Sequence, residues 1–205
     1  MLHGVLDPEP GKLVFALYDG AERLHRAECV MRPRDASIMP DFVADELKKC
    51  GHVLNDVSRW TFGAGPGSFT FLRVVAALGA GWAAGGGTIR FRCLPGALAL
   101  AAARRPAVGE TVGALYDGRN RELLCFGVTN VDGVLKPSGE EKILNAAQAA
   151  EFFAARPMRL VAFAPDAPAL TDLLGGVIPF ATAEADLSVL AADPAPFDND
   201  PDKMV

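Results

Sequence analysis

Short apolar blocks interrupted by polar residues fill the first part of the chain, at Leu2 to Leu6, Lys12 to Tyr18 and Arg23 to Met31. Blocks of this length predict β-strands. The Asp19-Gly20 pair lies between the second and third blocks and tolerates positive φ, so it predicts a tight hairpin turn. From Ile38 to Cys50 the period changes. Ile38, Met39, Phe42, Val43, Leu47 and Cys50 recur every three or four residues, while Asp41, Asp45, Glu46, Lys48 and Lys49 turn elsewhere. That spacing predicts an amphipathic helix with Pro40 in its first turn and Gly51 at its stop. Val57 to Phe62 reads as a strand that enters a glycine-rich turn, and a long apolar helix follows from Phe69 to Ala84.

A strand near Thr88 to Cys93 and a helix from Pro95 to Arg104 complete a first lobe, placed at residues 1–105. Proline, charge and loss of periodicity coincide at Arg104-Arg105-Pro106 and mark its end. A second lobe, residues 106–193, restarts with strands at Thr111 to Tyr116 and Glu122 to Val128 around Asp117-Gly118-Arg119-Asn120. A helix follows at Ala146 to Ala155, where Asn145 and Gln148 have the spacing of a capping box. A strand at Arg159 to Ala164, a helix near Pro168 to Leu174, a strand at Val177 to Phe180 and a helix at Glu184 to Ala192 come next. Early strands and late strand–helix alternation indicate an α/β fold with mixed sheets. No internal repeat is visible, and residues 194–205, rich in proline and aspartate, read as a loose tail.

Bulk properties narrow the function classes. A 205-residue chain, half of it hydrophobic, suffices for one good core or two small lobes. A formal charge of −5 gives no general attraction for a polyanion. Cys29, Cys50, Cys93 and Cys125 form no CxxC pair and read as buried thiols in a reducing compartment. His3, His25 and His52 have no metal-ligand spacing and read as surface or turn residues, so no metal is expected. The N-terminus lacks the basic start and apolar run of a signal peptide, and glycines with Arg73 break the longest apolar stretch. The expected location is the cytoplasm, with no membrane partner.

The turn Gly63-Ala64-Gly65-Pro66-Gly67-Ser68 admits three readings. A phosphate loop needs a lysine after its last glycine, which is absent. A dinucleotide fingerprint needs an acid about twenty residues on, and no Asp or Glu occurs between Asp56 and Glu110. The structural reading makes Gly-Pro-Gly a rigid turn, Ser68 a helix cap, and the Ala76, Ala80, Ala84 stripe a close-packing face. A helix that is apolar nearly all round is buried in the fold, in a partner, or in both.

The run Ala64 to Arg73 resembles the GPGSFTGLR signature of the bacterial TsaB (YeaZ) family, with Gly65, Pro66, Gly67, Ser68, Phe69, Thr70 and Arg73 in register. The segment Tyr116 to Glu122 resembles the family's Asp-Ala-Arg-x-x-Glu, with Asp117, Arg119 and Glu122 in place. The likeness is best from Ile38 to Ala84 and faint beyond Glu122. The resemblance implies an actin/Hsp70-like fold of two lobes. It also implies a non-catalytic scaffold subunit of the complex that forms threonylcarbamoyladenosine on tRNA, dimerising with a TsaD-like subunit through the first two helices. The implied interface is Ile38, Met39, Phe42, Val43, Phe71, Val74, Val75 and Leu78. Phe71 replaces the signature's glycine and Val75 a small residue, so that face is expected to be bulkier than in relatives.

Actin-like ATP users cradle phosphate at the first hairpin turn. Here that place reads Asp7-Pro8-Glu9-Pro10-Gly11: two prolines remove donors and Glu9 adds negative charge. Asp7 is the single cofactor candidate, and no catalytic residue and no cofactor are expected. Ser68 lies in no GxSxG elbow. The alternatives are a divergent ATP-dependent phosphotransferase and a stand-alone homodimeric interaction module. Arg59, Arg73, Arg90, Arg92, Arg104 and Arg105 make residues 57–109 basic with no acid among them, and they read as a solvated or packing-neutral scatter, with tRNA contacted only through a partner.

Overall fold

The computed structural model describes residues 1–32, 35–66, 69–85 and 89–198. They form two compact units, one comprising Met1–Gly96 and the chain from Leu190 onward, the other Ala97–Val189. The division falls at Gly96 rather than at residue 105, because Ala97–Ala102, read as the last helix of the first lobe, belongs to the second unit.

In the first unit the strands are β1 (Leu2–Glu9), β2 (Lys12–Asp19), β3 (Glu22–Val30), β4 (Val57–Gly63) and β5 (Arg90–Leu94), and the helices are α1 (Met39–Lys49) and α2 (Phe69–Ala84). The sheet order is β3-β2-β1-β4-β5, antiparallel through the first three and parallel across β1, β4 and β5. β1 runs further than its pattern suggested. Asp7, Pro8 and Glu9 pair with Val14, Leu13 and Lys12, and the turn shrinks to Pro10-Gly11 with Gly11 at φ +76°. Leu6, Phe15, Leu17, Trp60 and Phe62 on the sheet pack against Met39, Val43 and Leu47 of α1 and Phe71 and Val75 of α2.

Glu46 of α1 departs from the amphipathic pattern. Its side chain is nearly buried, accepting hydrogen bonds from His25 Nε2 of β3 at 2.8 Å and Lys49 Nζ at 2.6 Å. The polar residue is pulled inward by a partner that hydropathy cannot register.

The second unit contains α3 (Ala97–Ala102), β6 (Thr111–Arg119), β7 (Glu122–Val131), β8 (Val134–Asn145), α4 (Ala146–Ala155), β9 (Arg159–Ala162), α5 (Ala167–Leu173) and β10 (Ala181–Thr182), and α6 (Ser188–Ala192) straddles the division. Its sheet order, read from β8, is β8-β7-β6-β9-β10, with the same antiparallel and parallel pairings as the first. The two sheets therefore repeat one topology, although no repeat is visible in sequence. β10 is displaced past the apolar run Val177 to Phe180.

The capping box forms as expected: Asn145 Oδ1 accepts from Gln148 N–H at 3.0 Å, and Gln148 Oε1 accepts from Asn145 N–H at 3.0 Å. Asn145→Ala is expected to cost about 1 kcal/mol, read as a lower urea midpoint by far-ultraviolet circular dichroism.

The segment read as a loose tail is held up to Asp198. Phe91 of β5 and Asp198 exchange both main-chain hydrogen bonds at 2.7 Å. Among the described residues no helix is long and apolar enough to cross a membrane. Of the cysteines only Cys125 is buried, with Cys29 and Cys50 intermediate and Cys93 exposed, which corrects the expectation of four buried thiols. Cys29 and Cys93 lie on strands that present alternate residues outward, and Cys50 caps the end of α1.

Candidate functional site

Parallel strands leave their carboxyl ends free for loops and ligands, so the ends of β1, β4 and β5 are where chemistry is sought first. Three features converge there: Asp7 near the end of β1, Gly63 at the end of β4, and Gly96 just past β5. Asp7 is 2 % exposed. Its carboxyl occupies the volume that two missing side chains leave. A Cβ on Gly63 would stand 1.7 Å from Asp7 Oδ1, and one on Gly96 would stand 2.8 Å from the same atom. Burial, and next the charge of Glu9, push the Asp7 carboxyl up to about 7. At neutral pH much of it is therefore protonated, and it fills a cleft between glycines.

Glu9 sits two residues further along β1, 3 % exposed, with Lys12 Nζ 3.5 Å from its carboxylate. Burial raises its pKa against the opposing pull of Lys12. The turn Pro10-Gly11 retains a single N–H, on Gly11, because proline has none. A phosphate placed there would meet two buried carboxyls and one main-chain donor. These residues do not fit a nucleotide's phosphates.

The glycine-rich turn continues from β4. Ala64 N–H donates to Leu94 O at 2.8 Å, Gly96 N–H donates to Gly65 O at 2.8 Å, and the Gly65–Pro66 peptide is cis. The turn is thus stitched by its main chain to the end of β5. Gly67 and Ser68, with the expected Ser68 cap, and the side chains of Phe69 and Thr70 lie outside the described residues. Arg73 is exposed on α2.

The expected interface divides in two. Met39, Val43, Phe71 and Val75 are between 0 and 5 % exposed and belong to the core, so they offer no surface to a partner. Ile38 is 41 % exposed, and Phe42, Val74 and Leu78 are half-buried at the margin of the same core. A shallow cavity of about 440 Å³ is lined by Arg73, Val74, Ala77 and Leu78 of α2. The bulk of Phe71 and Val75 is directed beneath the helix, where Trp60, Phe62 and Trp82 form an aromatic cluster with ring centroids 4.6 to 6.1 Å apart.

The other face of the first sheet carries polar groups that the sequence left scattered. Arg92 is 6 % exposed, not solvated. Its Nε donates to Thr61 Oγ1 at 2.8 Å, Nη1 to the carbonyls of Asp193 and Ala195, and Nη2 to those of Leu190 and Ala191. His3, 7 % exposed, shares Thr61 Oγ1 at 2.9 Å. Burial first, then Arg92 and Arg59, pull His3 down to about 4. This Thr–His pair is no nucleophile and base, because Thr61 is fully buried and its oxygen accepts from Arg92. His25 is a half-buried strand residue paired to Glu46, so of the three histidines only His52 fits the reading of a turn residue.

In the second unit the topological equivalent of the Pro10-Gly11 turn is the link between β6 and β7. Arg119, Asn120 and Arg121 all adopt positive φ, at 60°, 51° and 62°. Asp117 Oδ1 accepts from Arg119 N–H at 2.8 Å, and Asp117 N–H donates to Asp166 Oδ2 at 3.3 Å. Burial raises Asp166 to about 6. The structure gives Asp117 a turn-forming role, and Glu122 opens β7 as an exposed residue. Among the described residues no group of three His, Cys, Asp or Glu side chains is placed to hold a metal ion.

No family model and no curated protein matches the chain. Solved structures do. One from Pseudomonas aeruginosa, described as an uncharacterized protein with similarity to peptidase YeaZ, superposes with a TM-score of 0.70 at 22% identity over 93% of this chain and 88% of that one. Pseudomonas aeruginosa YeaZ gives 0.69 at 22% identity over 93% and 89%. The ethanolamine utilization protein EutJ from Carboxydothermus hydrogenoformans gives 0.53 at 10% identity over 93% and 87%. At such identities the likeness is one of fold, and with two sheets of one repeated order this chain has the actin-like α/β fold that YeaZ represents.

Proposed function

We propose that this chain is a TsaB-type scaffold subunit that pairs with a TsaD-like catalytic subunit of the threonylcarbamoyladenosine-forming machinery. The observation that carries the reading is the position of the signature. It joins β4 to α2 in a chain whose fold follows YeaZ over 93% of its length. Ile38, Phe42, Val74 and Leu78 remain available at the rim of the core on α1 and α2. The three-ten turn ending at Ile38 packs beside α2, so these side chains belong to one neighbourhood. An apolar strip that is half-covered in the free chain gains about 25 cal/mol per Å² when a partner completes its burial.

The chemistry of the strand ends supports a partner role over a phosphotransferase. Asp7 is sealed between Gly63 and Gly96, and the first turn offers prolines where donors are needed. The protein acts through the partner's active site, touches tRNA through that partner, and needs no cofactor of its own. The location that suits this work is the cytoplasm.

Co-purification with the TsaD-like subunit of the same organism tests the reading. A 1:1 complex is expected on size exclusion, and Leu78→Asp is expected to weaken it at least tenfold while lowering the chain's own melting temperature far less than Phe71→Asp does. Two folded proteins that elute apart would overturn it. A homodimer dispersed by Leu78→Asp would assign the same strip to a second copy, and magnesium ATP binding by the isolated chain in calorimetry would favour the phosphotransferase.

A further inference from the structure

β5 is the last strand of the first sheet, and its free edge is partly taken by the chain's own end. The main-chain groups of alternate residues point to opposite sides of a strand. Phe91 directs its N–H and C=O outward to Asp198, so Cys93, two residues on, directs its own the same way. The antiparallel register that pairs Phe91 with Asp198 brings residue 196 opposite Cys93. Pro196 has no N–H to donate. The strap therefore uses one of two adjacent pairing positions.

Its side chains describe what the edge accepts. The Phe197 ring is held by two guanidinium groups, with Arg92 Cζ 4.2 Å and Arg59 Cζ 5.3 Å from its centroid. His3 meets the same ring edge-on at 5.2 Å. Arg59 and Arg90 are exposed register partners on β4 and β5, and Asp198 follows the ring. An aromatic slot walled by cations, next to a strand edge, recognises an aromatic residue followed by an acid. The four carbonyls bound by Arg92 belong to residues 190 to 195, upstream of the ring, so they anchor the strap and leave its Phe197–Asp198 end to detach alone.

We propose that the β5 edge with the Arg59–Arg92–His3 slot is a strand-addition site for an extended polypeptide segment bearing an aromatic residue followed by an acidic one. The chain's own Phe197–Asp198 occupies the site in cis. A competing segment with an ordinary residue in place of Pro196 forms both main-chain pairs, at Phe91 and at Cys93, and so displaces the strap's end. The site is independent of the α1–α2 strip, and its test does not require the TsaD-like subunit.

The test uses the full chain and a fluorescein-labelled peptide copying residues 193–205, read by anisotropy. Phe197→Ala, which empties the slot, is expected to bind the peptide at least tenfold more tightly than the unaltered chain. Asp198→Pro, which removes the N–H given to Phe91, is expected to do the same without touching the ring. On either variant a peptide carrying Pro196→Thr should bind about threefold more tightly than the native-sequence peptide. One carrying Phe197→Ala should bind at least tenfold more weakly. Adding Arg59→Ala to the chain, an exposed change, should weaken binding severalfold. Equal binding by the unaltered and both emptied chains, or binding indifferent to the peptide's ring, would overturn the proposal and make the strap a fixed part of the fold.

Discussion

Arg92→Met is expected to lower the stability of the first unit by about 3–5 kcal/mol, because several neutral acceptors lose at once the donor that satisfied them. Methionine matches much of the stem but supplies none of the five donated hydrogen bonds. Thr61 Oγ1 and the carbonyls of Leu190, Ala191, Asp193 and Ala195 then lose their common donor. Two of those carbonyls lie in the last turn of α6, where a cation also satisfies the helix dipole. Arg92→Lys should recover only part of the loss, because a single ammonium cannot address five acceptors in a planar fork. The readout is specific. Both tryptophans, Trp60 and Trp82, lie in the first unit, so their fluorescence during urea unfolding follows that unit. Phe197→Ala acts past the anchor and is expected to move the same midpoint much less. An unchanged midpoint in Arg92→Met would mean that the strap contributes nothing to the unit it completes.

That arrangement explains why the chain's end reads as loose in sequence. Pro194, Pro196 and the aspartates around them have no strand or helix period, so local pattern cannot hold them. What holds them is one arginine about a hundred positions earlier, and hydropathy counts that arginine as solvent-facing. The same blindness hides Glu46, drawn inward by His25, and His3, buried against Thr61. Each error concerns a polar group whose partner is distant in sequence.

Locally consistent elements were legible. The Asp19-Gly20 hairpin between β2 and β3, α1 with Pro40 in its first turn, the β4-to-α2 unit and the Asn145–Gln148 cap all follow from spacing alone. β8 was not. Its residues Val134 to Asn145 include Pro137, Gly139 and four charged side chains, Lys136, Glu140, Glu141 and Lys142, with no regular alternation.

 Charge, proline and glycine suit a strand at a sheet edge, where they discourage pairing with other chains, and they erase the period-two signal. The bulge between Phe126 and Val128 breaks the alternation further. The repeated topology was equally invisible, because two sheets share an order of strands without sharing residues.

The interface was half legible for a different reason. α2 is apolar nearly all round, so its periodicity gives no direction, and only the family resemblance suggests that Phe71 and Val75 face outward. Packing decides otherwise. Both residues lie over the Trp60 cluster, which leaves Val74 and Leu78 at the rim. Phe71→Asp is thus a core-breaking change and no probe of assembly, whereas Leu78→Asp, at the margin of the core, disturbs it much less and can report on assembly.

Asp7→Asn is expected to abolish a pH dependence on the order of 4 kcal/mol, the energy that corresponds to a carboxyl moved from 3.8 to about 7. The sign follows from proton counting. Between those two values the folded chain keeps a proton on Asp7 that the unfolded chain has released, so stability is full below pH 4 and declines as pH rises to 7. Asparagine keeps the shape between Gly63 and Gly96 without a charge to bury. The variant's advantage should therefore be small near pH 4.5, on the order of 1 kcal/mol, and full at pH 8, with urea midpoints taken from tryptophan fluorescence. His3 works in the opposite sense, losing stability as pH falls from 6.5 toward 4, but it is present in both proteins and cancels in the difference. Midpoint curves that stay parallel from pH 4.5 to 8 would show that Asp7 is ionised and compensated, which would restore it as a ligand for a cation. A gain that grows as pH rises from about 4 to 7 and then levels off would instead fix Asp7 as a neutral packing group at the end of β1.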